Sequence, residues 1–216
     1  MAPPAKVVPE FPGFGVQYEV SANPFFEAIC VENLRKLKTC DVGKELLKLI
    51  ADAKPSHRAD YPIGINVMMV PKEVVYVQSG FKTAWAASGG MTKTLEKSGL
   101  DIHNAQKEHS PPGCPFYIVG GSQNAAKSPP HSTNGTGSVC TMYFTNTQIT
   151  TSKGESTVPF IVLAHELIHS YHCLYGIKKD AGEEEWATGV GIYAGERISE
   201  NAFRSALGFK LRLSYY

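Results

Sequence analysis

The chain lacks most of the features that announce a simple function class. No apolar run approaches the roughly 20 residues that span a bilayer. Neither sign of charge dominates: 21 Lys+Arg stand against 20 Asp+Glu, a net +1, with no basic stripe. That balance leaves no electrostatic footprint for nucleic acid. The five cysteines (Cys30, Cys40, Cys114, Cys140, Cys173) are odd in number and form no C-x-x-C pair. A disulfide framework and a cysteine-held zinc cluster are thereby excluded, and reduced thiols in a cytosolic setting are expected. No internal repeat is visible. No Gly-rich phosphate loop follows a strand, which disfavours the doubly wound nucleotide-binding folds. The first 15 residues hold four prolines and no apolar stretch of the kind a Sec leader needs. A lone glycosylation sequon at Asn134-Gly135-Thr136 carries little weight beside this.

What the chain does have is enough for one globular domain. Its 216 residues are 43% hydrophobic and 19% charged, which excludes a disordered chain, a coiled coil and collagen. Residues 1–23 read as a Pro-rich extended arm and 24–216 as the domain. Asn23-Pro24 opens a helical pattern with Phe25, Ile29, Leu34 and Leu37 at helix spacing. A second helix is predicted over 41–53, with Leu46, Leu49 and Ile50 on one side and Asp41 as its cap. Strands are predicted over 63–70, 73–78, 116–119 and 139–145, and a short helix over 91–100. Residues 120–137 form a loop rich in Gly, Ser, Asn and Pro. Loops that long inside a domain are usually functional or mobile.

The chemistry concentrates in 157–176. Thr157 can cap a helix, Pro159 suits its first turn, and Gly176 can end it. Apolar residues occur nearly all round the helix, as expected of one buried in the core. Within it lies His165-Glu166-Leu167-Ile168-His169, an H-E-x-x-H match. Four residues are just over one turn, so both imidazoles leave the same face and can bind one Zn²⁺. Glu166, about 100° round the helix, can reach a water on that metal without being a ligand. The match is short, and many such matches are ordinary amphipathic helices. Two imidazoles and a carboxylate on a buried helix are costly, however, unless something satisfies them.

A catalytic zinc needs a third protein ligand. The metzincin extension fails, because His172 and Tyr175 stand where Gly and His are required. The deformylase pattern fails at Ile168, and Cys140 reads better as a small strand hydrophobe than as its ligand. The gluzincin arrangement takes a Glu from the next helix, and Glu183-Glu184-Glu185 begins one 14–16 residues after His169. Three successive Glu are also ordinary dipole-favoured charge at a helix start. Glu184 ranks first as ligand, because Thr188 lies one turn later and can support it. Glu185 follows, then Glu183. His172 either shapes the site or is simply a hydrogen-bonded helix-end residue. Tyr171, Tyr175 and Tyr193 are candidate transition-state donors, and His57, His103, His109 and His131 read as surface residues. The expected fold is therefore α+β: one zincin-like (gluzincin-like) domain with a small mixed sheet packed on the H-E-x-x-H helix. Strand 139–145 is the candidate edge along which substrate lies.

The run His165–His172, followed by Glu184-Glu185-x-x-Thr188, resembles the zinc metallopeptidase effectors delivered by type III secretion in enteric and plant-pathogenic bacteria. The tail from Ile198 to Arg204, then Leu207-Gly208 and Leu211-Arg212, is similar to the end of that domain. So is Phe14-Gly15-Val16-Gln17-Tyr18 at its start. The resemblance implies an export signal in the N-terminal arm, secretion into the host-cell cytoplasm, and cleavage of a host intracellular protein. A mitogen-activated protein kinase activation loop is one such target. The expectation is thus a monomeric zinc endopeptidase with a protein substrate and neither nucleic-acid nor membrane partners. Its metal would be held by His165, His169 and Glu184, with Glu166 as general base. A zinc amide hydrolase of a small molecule and a non-catalytic zinc-binding interaction module are the alternatives.

Overall fold

Alternation and helical periodicity sort the chain into a mixture of helices and strands, with helix predominating. The computed structural model describes residues 6–17, 25–54, 65–69, 123–126, 129–144, 149–150 and 156–215. Strands β1 (Lys6–Val7), β2 (Phe14–Gln17), β3 (Ile65–Met69), β4 (Gln123–Ala126) and β5 (Cys140–Phe144) pair in the order β1-β2-β3-β5-β4. The β2–β3 and β3–β5 pairs are parallel, whereas β1–β2 and β4–β5 are antiparallel. A separate two-stranded ribbon joins β6 (Ile149–Thr150) to β7 (Ser156–Thr157).

Five helices complete the described structure. Helix α1 (Phe26–Leu37) buries Phe26, Cys30, Leu34 and Leu37, leaving Phe25 at its N-cap and exposed. Helix α2 (Asp41–Asp52) buries Gly43, Leu46 and Ile50. Its cap is Cys40 rather than Asp41, which sits in the first turn paired to Lys44. Gly43 is required there: a Cβ would fall 1.8 Å from the carbonyl oxygen of Leu37, so only Gly lets α2 fold back this closely. Helix α3 (Pro159–Tyr175) lies at the centre, in contact with α1, α2, β4, β5, α4 (Glu183–Thr188) and α5 (Glu200–Ala206). Having neighbours on every side is why it is apolar nearly all round. Pro159 occupies its first turn, and Gly176 ends it with φ 68°. A Cβ on Gly176 would also lie 2.7 Å from the backbone of Gly135 and Gly137.

Several expectations need correction. The capping residue of α3 is Val158, because the Thr157 hydroxyl is taken by Arg204 Nη2 at 2.7 Å. The loop expected over 120–137 contains β4 and a 3₁₀ turn at Pro129–Ser132. Strand β5 is paired on both sides, by β3 and β4. It therefore has no free backbone edge to offer, and β4 ends the sheet among the described residues. The described part of the N-terminal arm is not extended: β1 and β2 fold back on each other as an antiparallel hairpin, and it is built into the core, with Val8, Phe11, Phe14 and Val16 buried with the helices. The predicted strands at 73–78 and 116–119 and the helix at 91–100 lie outside the described residues.

Phe14→Ala separates a core strand from a loose arm. Deleting a buried phenylalanine ring is expected to cost about 3–5 kcal/mol in urea denaturation, whereas truncation in an external arm would leave the midpoint unchanged.

Candidate metal centre

One turn of helix separates His165 from His169, and the buried α3 backbone leaves both side chains little freedom. Their Nε2 atoms approach to 3.1 Å, with ring planes at 83°. Glu184, on α4, places Oε2 at 3.1 Å from His165 Nε2 and 3.2 Å from His169 Nε2. Three donors thus form a nearly equilateral triangle. A tetrahedral ion bound at about 2.0–2.1 Å spaces its donors by roughly 3.3 Å. Two imidazoles and one carboxylate make a donor set for a divalent transition metal. The residues fit such an ion in both spacing and chemistry.

Each histidine is held from behind by a second carboxylate. Glu200, on α5, sets Oε2 at 3.0 Å from His165 Nδ1, an ion-pair distance that lies off the line of a hydrogen bond. Glu183 sets Oε1 at 2.8 Å from His169 Nδ1 and 2.7 Å from His172 Nδ1, while its Oε2 accepts the Lys179 backbone N–H at 2.9 Å. A carboxylate on Nδ1 fixes the tautomer, turns Nε2 toward the metal and raises the basicity of the ring. His172 is clamped in turn by a stacked Trp186, with centroids 3.8 Å apart. His169, His172 and Glu183 also form a ligand-like cluster. With the triangle filled, an ion there as well would need His169 to coordinate through both nitrogens, so beside an occupied triangle this cluster reads as its support.

Burial and charge oppose each other throughout. Burial alone would push the Glu183 and Glu200 carboxyls up. The bonds from His169 and His172 hold Glu183 down at about 2, and the bond from His165, with Arg212 and Arg204 nearby, does the same for Glu200. Glu184 is held well below the carboxylate range by His165 and His169 against the same burial. Burial would lower His165 and His169, yet their carboxylate bonds raise both. For His172 burial prevails and the ring is shifted down. Glu166 differs from the other carboxylates. Its Oε2 is buried with no hydrogen-bond partner among the described residues, and burial pushes its carboxyl up to about 7. That is the range a general base working near neutral pH requires.

The sequence ranking of the three glutamates is therefore redistributed. Glu184 faces both Nε2 atoms, Glu183 occupies the far side of His169, and Glu185 is half-buried outside the triangle. Thr188 does not support Glu184: its buried Oγ1 has no partner among the described residues. The tyrosines expected at the site lie elsewhere. Tyr175 donates to the Leu49 carbonyl, Tyr171 packs on Tyr175 and the His172 ring, and Tyr193 accepts from Lys179. The tyrosine at the metal-facing donors is Tyr215. It stacks on the His165 ring at 5.9 Å and donates to Glu184. Burial is the main cause that raises its hydroxyl pKa. Neither Glu200 nor Tyr215 was signalled as a site residue by local pattern. His131 sits half-buried in the 3₁₀ turn, and His57, His103 and His109 lie outside the described residues. No protein-family model matches the chain, and comparison with the curated proteins finds no match.

Metal uptake should separate the glutamates. Glu184→Ala is expected to abolish binding in calorimetric titration, and Glu183→Ala to weaken it about 10–100-fold. Because the raised imidazoles hold protons that the ion must displace, uptake in buffers of different ionisation enthalpy should show proton release, with apparent affinity falling as pH falls.

Proposed function

We propose that the protein is a zinc-dependent endopeptidase of zincin-like, gluzincin type. The observation that carries this reading is the 3.1–3.2 Å triangle of His165 Nε2, His169 Nε2 and Glu184 Oε2, with Glu166, whose Oε2 has no partner among the described residues, on the next residue of α3. Three protein donors mark a catalytic rather than a closed structural zinc site. Bound in the triangle, zinc would supply a Lewis acid that brings a water's pKa from 15.7 to about 7. Glu166 then takes the proton from the attacking water and delivers it to the leaving amine. Its raised pKa suits both halves of that transfer. Tyr215, already directed at Glu184, is placed to donate to the carbonyl oxygen as negative charge develops on it. Glu183, hydrogen-bonded to His169 Nδ1, favours the tautomer that leaves Nε2 free for the metal, and Glu200 stands at ion-pair distance behind His165.

The substrate reading follows the sheet. Strand β4 is one of the two terminal strands of the sheet among the described residues, and it contacts α3, so its open edge is the one along which an extended peptide would add. The resemblance of the H-E-x-x-H region and the tail to type III-delivered effector metallopeptidases supports a host intracellular protein as substrate. On that reading the enzyme acts in the host-cell cytoplasm, and a mitogen-activated protein kinase activation loop is the target to test first.

The test is cleavage-site mapping in host-cell lysate with the wild type and Glu166→Ala. New peptide termini are expected only with the wild type, while both proteins carry one zinc. Full activity in the variant, or loss of its metal, would remove Glu166 as the base. Tyr215→Phe should lower kcat about 10²-fold with KM little changed, as for loss of an oxyanion donor.

A further inference from the structure

We propose that Arg212 is a positioning residue that ties the C-terminal segment to the metal centre, holding Glu200 against His165 and Tyr215 over the His165 ring. This inference rests on the zinc-centre reading above and extends it to a part of the chain outside the H-E-x-x-H and glutamate motifs. Residues 207–215 follow α5 without regular secondary structure. The leucines of their far end do not anchor it, since Leu211 is 45% and Leu213 is 86% exposed. Polar anchors do. Arg204 Nη1 donates to the Lys210 carbonyl at 3.1 Å. Asn201 grips Arg212 from both sides: its Oδ1 accepts the Arg212 N–H at 2.8 Å, and its Nδ2 donates to the Arg212 carbonyl at 2.9 Å.

The guanidinium of Arg212 then points inward, and its side chain is only 10% exposed. Nη1 donates to Glu200 Oε2 at 3.1 Å, and Nη2 donates to the Tyr215 carbonyl. The same group lies over the Tyr215 ring, 5.1 Å from its centroid. Arg204 already partners the other Glu200 oxygen, with Nε at 2.6 Å from Oε1. The Glu200 carboxylate is thus neutralised without Arg212. What Arg212 adds is direction. It binds the oxygen that faces His165 Nδ1, so it sets where the imidazole's partner stands. Through the Tyr215 carbonyl it also sets where the stacked ring lies. One buried side chain therefore reaches the metal ligand His165 from two sides.

The test uses the full-length chain. Arg212→Met keeps the aliphatic stem and removes the fork. With the thermal midpoint checked by circular dichroism, its zinc dissociation constant is measured by chelator competition. A rise of about tenfold is expected, the lower end of the effect for groups that orient metal ligands. The d–d absorption spectrum of the cobalt-substituted protein should change with it, which general destabilisation alone would not produce. Asn201→Ala leaves the guanidinium intact but releases the Arg212 backbone; a smaller rise in the same constant is expected, and this variant serves should Arg212→Met not fold. Wild-type zinc affinity and an unaltered cobalt spectrum in the folded variants would overturn the inference alone. Failure of the wild type to bind zinc would overturn the metal-centre reading, and this inference with it.

Discussion

Everything in this structure depends on keeping a dense set of ionisable groups out of water without leaving them unsatisfied. Burying a polar group without a partner costs a few kcal/mol, and burying a lone charge costs more. Here His165, His169, His172, Glu166, Glu183 and Glu200 are all buried around one helix. The solution is a set of pairings that leaves out only Glu166 among these side chains: Glu184 on the two Nε2 atoms, Glu200 against one Nδ1, Glu183 on the other two. Burial works against the charged form of His165 and His169, and their carboxylate partners outweigh it and raise both pKa values, which favours protons on these rings when no metal is bound. Metal and protons compete for one set of lone pairs, and the architecture that attracts either is the same.

That dependence runs outward into the fold. Helix α4 is six residues long, too short to persist alone. It is held by two of its own side chains and by one bond to its C-terminal backbone. The Lys179 N–H binds Glu183, Trp186 stacks on His172, and Asn201 donates to the Gly189 carbonyl. Glycines in the left-handed region stand at both ends, Gly182 before it and Gly189 after it. A Cβ on Gly189 would come within 2.5 Å of Ser199 Oγ, just before α5 begins. The turn that brings Glu184 to the histidines and the packing that brings Glu200 to His165 are therefore coupled. Neither carboxylate can move without disturbing the other's helix.

Sequence reasoning read the centre of this arrangement well and its periphery poorly. Helix α3 was legible because its signals are local: Pro159 in the first turn, Gly176 after the last, and two histidines four apart. The first two helices were legible for the same reason, within a few residues. What escaped depends on partners far along the chain. Thr157 looked like a cap, but its hydroxyl is claimed by Arg204, 47 residues away. Glu200 and Arg204, four residues apart, have the spacing of an ordinary surface pair; only tertiary packing reveals them buried and Glu200 aimed at His165. The edge of the sheet was misplaced because strand order is not written in any strand. The apolar residues Val8, Phe11, Phe14 and Val16 were overshadowed by the prolines among them, which do not prevent short strands from joining a core.

The division of labour among the three adjacent glutamates follows from helix geometry. Successive residues are turned by about 100°, so one rod cannot direct neighbouring side chains to the same atom. Glu184 meets the Nε2 pair, Glu183 is carried round to the Nδ1 side, and Glu185 belongs to neither cluster. A one-residue slip of α4 would do more than substitute one ligand for another. It would bring Glu185 toward the Nε2 pair and Glu184 toward the outer bonds of His169 and His172, breaking the contacts with Lys179 and Trp186 that hold the helix in register. Ligand choice is therefore set by the packing of the next turn as much as by the carboxylate itself. A run of identical residues can carry three separate roles only while that register holds.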